Sequence, residues 1–334
     1  MADERFLLFR MSALGDIVHA LPAAAALRDT FADARIDWLV DAKWARVLEG
    51  NPDVTEIIQL DDRSAQGITA AIRKLRAATY NCAIDFQGLY RSALLGLAAG
   101  APRRIGFQGS YARERLAATL YTERVNPVGA HKVEHNLTLV QHAGARKSPA
   151  RFPLAVHAED EEFVARELST RGIGDFFVLN PGGGWRSKCW PAARYGELYR
   201  ALAERHGWRG VVTFGPGEEN LAHDVIQARG NSPPVALPLG LGPLLALLRR
   251  AKFVVSADTG PLHLAAALGA PVIGLYGPTD PARNGPYSQH AAVVRNLRFS
   301  ETTYRRGASY SAAMLSITVE QAVEAVEKRL GISG

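Results

Sequence analysis

The sequence predicts an α/β protein of two parallel-sheet domains, and three observations carry that expectation. The chain has 334 residues, more than one hydrophobic core usually supports. Apolar runs of strand length alternate with helical stretches from end to end, as parallel crossover units require. Polar, glycine-containing turns follow several of those runs, where open α/β sheets bind ligands.

In the first half, Arg5 to Arg10 reads as a strand leading into Met11-Ser12-Ala13-Leu14-Gly15-Asp16, with a helix over Ala20 to Thr30. Strands follow at Ile36 to Val40, Glu56 to Leu60, Cys82 to Phe86 and Arg103 to Phe107. Helices are expected at Ala65 to Ala78 and His131 to His142. Periodicity lapses between Ala145 and Pro153, which places the domains at 1–155 and 156–334 with a cleft between their sheets. Beyond a helix near Glu159 to Arg171, strands are expected at Phe176 to Asn180, Gly210 to Gly215 and Val235 to Pro238. Helices are expected near Ala193 to His206, Glu219 to Arg229 and Pro243 to Arg250. The stretch Phe253 to Pro281 then reads as strand, polar turn, helix and strand, the helix tolerating Pro261 in its first turn and stopping at Gly269-Ala270-Pro271. The last helix, Thr318 to Leu330, has apolar residues at helical spacing and serves packing, with the first domain one surface open to it.

Composition excludes several classes. With 47% hydrophobic and 22% charged residues the chain is globular. Cys82 and Cys189 lack CxxC spacing, so neither a disulfide framework nor a metal site is expected, and a reducing cytosol fits. No basic-then-apolar leader opens the chain, and no apolar run approaches the roughly 20 residues of a membrane span. A cytoplasmic protein is expected, with peripheral attachment to the inner membrane face left open. The formal charge is +6, and Arg91, Arg103, Arg104, Arg113, Arg115, Arg124 and Lys132 concentrate basic residues in the first half. That excess favours an anionic partner or surface, or else represents solvated helix faces. Nucleic acid is not expected, because no recognition motif accompanies the charge.

Four turns carry the chemistry. A helix beginning at Thr259 aims unpaired N–H groups and the positive end of its dipole at the crevice, where phosphate is the favoured guest. The loop Pro181 to Pro191 holds Gly182, Gly183 and Gly184, which let backbone approach a ligand, and Lys188, a point charge for a diphosphate; the alternative is a flexible strand-to-helix loop. Glu218 either accepts hydrogen bonds from ribose hydroxyls or suits the start of its helix. Asp16 is a general base if it faces the crevice, and otherwise an N-cap. Gln87, Arg91, Arg113, Lys132 and His135 lie in loops converging at one sheet edge, a set suited to an acidic substrate. Neither GxGxxG nor GxxxxGK[ST] occurs at these turns, which leaves a nicotinamide enzyme and a Walker nucleotidase unsupported.

Taken together, SALGDIVHALPA, DFQGLYRSALL, NPGGGWRSKCWP, FGPGEE and SADTGPLHLAAALGAPVIGLYGPTDP span nearly the whole chain. This set resembles the ADP-heptose:lipopolysaccharide heptosyltransferases of glycosyltransferase family 9, and among them those acting first on Kdo. The resemblance implies a GT-B architecture, two Rossmann-like domains, the first taking the acceptor and the second the nucleotide sugar. It implies inverting transfer of heptose from ADP-heptose to Kdo2-lipid A, with Asp16 as base and Lys188 on the diphosphate. Glu218 would meet the ribose, and Asp258, Thr259, Gly260 and His263 would form the donor turn; His263 on an Ala- and Leu-rich helix is otherwise a packed residue. Arg91, Arg113 and Lys132 would hold the Kdo carboxylates. No Asp-x-Asp motif is positioned for a metal, and no cofactor is expected. The alternatives are a later heptosyltransferase with a heptosylated acceptor, or a sugar-nucleotide-binding protein without turnover. Two departures stand out: glycines replace hydroxyl side chains in the Asn180 to Lys188 loop, and Arg298 to Met314 lacks a cysteine-rich pattern.

Overall fold

The computed structural model describes residues 4–61, 64–227, 233–296, 302–304 and 306–332. It divides into two compact units, Met1–Ala155 and Val156–Gly334. The end of the helix expected to reach Arg229, and Arg298 at the start of the segment running to Met314, lie outside the described residues.

The first unit holds six strands: β1 (Arg5–Phe9), β2 (Arg35–Asp41), β3 (Glu56–Leu60), β4 (Cys82–Asp85), β5 (Arg103–Phe107) and β6 (Glu123–Val125). They run in the order β3-β2-β1-β4-β5-β6, every neighbouring pair parallel. The helices are α1 (Leu14–Val18), α2 (Leu21–Thr30), α3 (Ala65–Ala77), α4 (Tyr90–Ala98) and α5 (Lys132–His142). Parallel strands need crossover connections, which α1 to α4 and the short turns Ala42–Val47 and Arg115–Leu120 supply, and α5 follows the last strand. With both faces of the sheet covered, β1 reads as an unbroken apolar run, and Phe6 to Phe9 are at most 1% exposed. On one face Leu7, Phe9, Leu39, Ile58, Leu75 and Leu95 share a core cluster. The alanines of α2, buried from Ala23 to Ala26, let that helix lie close to its neighbours.

The second unit begins with α6 (Ala158–Thr170) and repeats the plan. Its strands are β7 (Phe176–Asn180), β8 (Arg209–Phe214), β9 (Val235–Pro238), β10 (Val254–Ala257), β11 (Val272–Leu275) and β12 (Ala291–Val294), ordered β12-β11-β10-β7-β8-β9 and parallel throughout. Around them lie α7 (Ala192–His206), α8 (Glu219–Gln227), α9 (Leu241–Arg250), α10 (Gly260–Ala267), α11 (Pro281–Asn284), α12 (Ala312–Ser316) and α13 (Val319–Leu330). Phe177 and Phe253 stack at 4.9 Å in the core. Helix α13 starts on a Thr318–Gln321 capping box and ends at Gly331 in the left-handed region. Its Ala322, Val323 and Val326 join the core of the second unit, and Glu327 accepts from Arg205 and His206 of α7.

Both sheets therefore reverse direction at one point, between β1 and β4 in the first and between β7 and β10 in the second. Ligands of open α/β sheets bind outside the carboxyl ends of the strands at that point.

Candidate functional site

In the first unit the reversal point is occupied by the chain after β1 and after β4. Asp85 ends β4 with only 3% exposure and accepts hydrogen bonds from the Gln87 and Gly88 amides, the Ser92 hydroxyl and the Tyr121 hydroxyl. Burial raises its carboxyl above the ordinary carboxylate range despite those donors. Gly88 takes φ +65°, and a Cβ there would meet the Arg113 amide at 3.1 Å, so glycine suits this turn. The turn sends the Gln87 side chain to the other strand, where Oε1 accepts from the Met11 amide at 3.0 Å and the Ser12 amide at 3.3 Å.

Just beyond that bridge stands Asp16, in the first turn of α1. It caps neither α1 nor α2, whose N-cap positions are Ala13 and Ala20. Its Oδ1 instead accepts from Lys132 Nζ at 2.6 Å and lies 3.2 Å from an Arg10 terminal nitrogen. Burial pushes the Asp16 carboxyl up, but Arg10 and Lys132 outweigh it and hold the group far below the usual range. Arg10 is fixed in turn, donating at 2.5 Å to the Phe86 carbonyl. The carboxylate still has 21% of its side-chain surface open to solvent.

Of the residues expected to meet an acidic substrate, Gln87 and Lys132 thus gather around the Asp16 turn. Lys132, the first residue of α5, meets the carboxylate of its own chain. His135, one turn further along α5, has Nε2 3.1 Å from the Gly129 carbonyl and packs edge-on to Phe107 and Tyr111. Arg113 is exposed beside Gly88, and Arg91 lines an apolar cavity with residues of α3 and α4. Arg10 and Asp85 were not singled out in the sequence. The signal for both was a charged residue closing a buried apolar strand.

In the second unit the reversal point is built by the loops after β7, β8 and β10. Thr259 is the N-cap of α10 and its side chain makes no capping bond. Its hydroxyl turns inward, 2.9 Å from Ser256 Oγ and 3.4 Å from Asn180 Oδ1, tying β10 to β7. The amides of Gly260 and Leu262 belong to the first turn, where no helical acceptor exists, and Pro261 has no N–H to lose. Asp258, 6% exposed, lies 3.1 Å from His263 Nε2 and 3.9 Å from Lys188 Nζ. Burial opposes ionisation of Asp258, yet His263 and Lys188 together lower its carboxyl below the usual range. His263 is therefore a partner of the Asp258 carboxylate as well as a buried residue of α10.

The glycine loop packs against this turn. A Cβ on Gly183 would stand 2.9 Å from Cys189 Sγ and 3.1 Å from Thr259 Cγ2, whereas one on Gly184 would meet nothing. Glu218 fastens the loop, its oxygens accepting from the Gly183 amide at 3.1 Å and the Gly215 amide at 2.9 Å. Lys188 Nζ lies 5.0 Å from the Trp185 ring centroid. Arg306 also lies over Trp185, at 5.8 Å, and Arg186 stacks on Tyr310 at 4.2 Å. These cations make the loop more positive than Lys188 alone, and only the fold brings Arg306 to it. The arrangement suits an anion with two or more negative oxygens, held by helix amides and a lysine. Among the described residues, no group of three or more His, Cys, Asp and Glu side chains is placed to hold a metal ion.

The chain is similar in sequence and in fold to several known proteins. A family model, glycosyltransferase family 9 (heptosyltransferase), matches residues 68–312. The chain is 30% identical to lipopolysaccharide heptosyltransferase 1 of Pseudomonas aeruginosa over 298 residues, 85% of this chain and 82% of that one. It is 26% identical to lipopolysaccharide heptosyltransferase 3 of Escherichia coli K12, with 95% of each covered. Among solved structures, Escherichia coli heptosyltransferase WaaC with ADP is 26% identical, has a TM-score of 0.78, and is covered over 99% of its length by 97% of this chain.

Proposed function

Because the chain belongs to glycosyltransferase family 9, the heptosyltransferases, and has the GT-B fold, we propose that it transfers heptose from ADP-heptose to a Kdo residue of Kdo2-lipid A. The observation that carries this reading is the second unit's anion site: the uncapped start of α10, with Lys188 3.9 Å from Asp258 beside it.

In this reading the donor's diphosphate lies against the Thr259 and Gly260 amides and Lys188, with Gly183 and Gly184 giving it room. Glu218 fastens the loops that receive the ribose, and its carboxylate oxygens retain lone pairs for the hydroxyls. Asp258, oriented by His263, accepts from the heptose. The acceptor hydroxyl comes to Asp16 in the first unit, with Arg113 and Lys132 drawn to the Kdo carboxylate.

The oxygen then attacks the anomeric carbon, its proton passes to Asp16, and the bond from that carbon to the diphosphate oxygen breaks with inversion. Lys188 and the α10 dipole stabilise the charge gathering on ADP. Ion pairing in the free chain makes Asp16 a weak base. A Kdo carboxylate competing for Lys132 would loosen that pairing and raise the basicity of Asp16 as the substrate arrives. The reaction takes place where the lipid-linked acceptor is held, at a membrane face. No helix among the described residues is long and apolar enough to cross one.

A second reading is a later heptosyltransferase acting on a heptosylated acceptor, supported by 26% identity to heptosyltransferase 3 over nearly the full length. Incubating the purified chain and ADP-heptose with Kdo2-lipid A or with its heptosylated product separates the two. ADP release and a mass gain of one heptose on Kdo2-lipid A are expected. Gain on the heptosylated acceptor alone would transfer the assignment to the later step, and ADP release with neither would end both readings.

A further inference from the structure

Helix α4 carries its apolar residues on the wrong side for a packing helix. Tyr90, Leu94 and Leu97, at positions i, i+4 and i+7, form one stripe and are 44%, 46% and 41% exposed. The buried positions are the small Ser92, Ala93 and Gly96 together with Leu95. On one edge of the stripe Ala93 packs on Ala117 and Ala118 of the short turn Arg115–Leu120, which exposes Leu116 to 68%. On the other edge Arg91 and Leu95 line a cavity of about 150 Å³ whose remaining walls are Leu60, Ile68, Ile72 and Leu94. Leu94 belongs to both, so the cavity adjoins the stripe.

Arginines lie along this surface as well as at its ends. Arg76 donates to the Ala98 carbonyl at the end of α4, Arg91 stands within the helix, and Arg113 and Arg115 flank its start. The acid among them, Glu114, is engaged with the Tyr90 amide at 2.7 Å. A protein partner would call for a core depleted in charge with the charges at its rim. Here arginines are interleaved with exposed leucines, and their stems can lie along apolar surface while the guanidinium reaches phosphate.

We propose that the α4 stripe with the Arg115–Leu120 turn is a docking surface for an anionic phospholipid bilayer. Tyr90, Leu94, Leu97 and Leu116 enter the interface, Arg76 and Arg115 meet lipid phosphates, and the aliphatic cavity receives part of an acyl chain. The inference goes beyond heptosyl transfer and is read without donor or acceptor, so failure of either leaves the other standing.

The test is flotation of the full chain with vesicles of phosphatidylcholine, alone or mixed with phosphatidylglycerol. The wild type should float with the mixed vesicles, remain in solution with neutral ones, and be released by salt. Leu94→Ser with Leu97→Ser should lower the partition constant at least about tenfold. Arg115→Glu should lower it by more than the about fivefold that loss of one basic charge brings. These side chains are exposed, and a cooperative melt near that of the wild type confirms that each variant is folded. Three results would overturn the proposal: no binding of the wild type to anionic vesicles, wild-type binding by the leucine variant, or a dimer in light scattering that the leucine changes dissolve.

Discussion

Lys132 Nζ and Asp16 Oδ1 lie 2.6 Å apart, joining the first turn of α5 to the first turn of α1 across 116 positions of sequence. Arg10 approaches the same oxygen at 3.2 Å. A carboxylate so held is ionised at any working pH and ready to accept a proton only when part of its pairing is relieved.

Asp16→Asn keeps the shape and removes the proton acceptor. Transfer should fall by about 10²- to 10⁴-fold, the range for loss of a general base, while ADP affinity measured by calorimetry stays at the wild-type value. Turnover close to wild type would take Asp16 out of the role.

The same pairing has a pH signature. The folded-state value for Asp16 is depressed, so its contribution is present in full above the unfolded carboxyl value of about 4 and is lost as the pH falls below it. Calorimetric melting of wild type and Asp16→Asn should therefore show a gap that is constant near neutrality and narrows in acid. A gap that widened in acid would reverse the sign and contradict the ion pairing.

Gln87→Leu removes the acceptor of two amides at the first reversal point. A buried N–H without a partner costs about 1–3 kcal/mol, and that loss should appear in denaturant unfolding. Transfer should fall with it, because the bridge holds the strand end from which the Asp16 turn departs. Unchanged stability would mean that water replaces the side chain freely.

Lys188→Ala should weaken ADP binding about 10- to 100-fold, as loss of one charge-assisted contact to phosphate does. Stability should fall as well, because Asp258 is buried and loses one of the two cations that hold its carboxylate ionised. Wild-type ADP affinity would contradict the assignment. Lys188→Arg should recover part of the binding if charge alone matters.

Gly183→Val tests the loop. Branched carbon so near Cys189 and Thr259 must displace one of them, and donor affinity should drop while Gly184→Ala, with open space around it, remains near wild type. Equal behaviour of the two variants would place the diphosphate elsewhere.

Much of this was legible in the sequence because buried parallel strands write themselves as apolar runs. β1 to β5 and β7 to β11 fall within a residue of their expected bounds, as does the turn at Thr259. Two of the four edge strands, Glu123–Val125 and Ala291–Val294, were missed, while β3 and β9 at the other edges were read; Glu123–Val125 has three residues, two of them charged, and so no apolar run to mark it. Helix α4 escaped for a different reason. Its exposed leucines and buried small residues invert the usual pattern, and the sequence reads there as a polar break. The site divided in the same way. Asp16 and Lys188 stand out at their turns but take their expected roles only from the family resemblance, and the pairing of Lys132 with Asp16 and the fastening by Glu218 depend on contacts between distant loops that local spacing does not encode.

Gln87 at one reversal point and the Asn180–Thr259 contact at the other span their own sheets, and each sheet has a separate core. Each recognition surface is thus braced from within its own half. In the proposed reading, where the first unit takes the acceptor and the second the nucleotide sugar, a change of glycan acceptor can accumulate in residues 1–155 without retuning the nucleotide grip, and exchange of that half between relatives is the natural route to a new specificity.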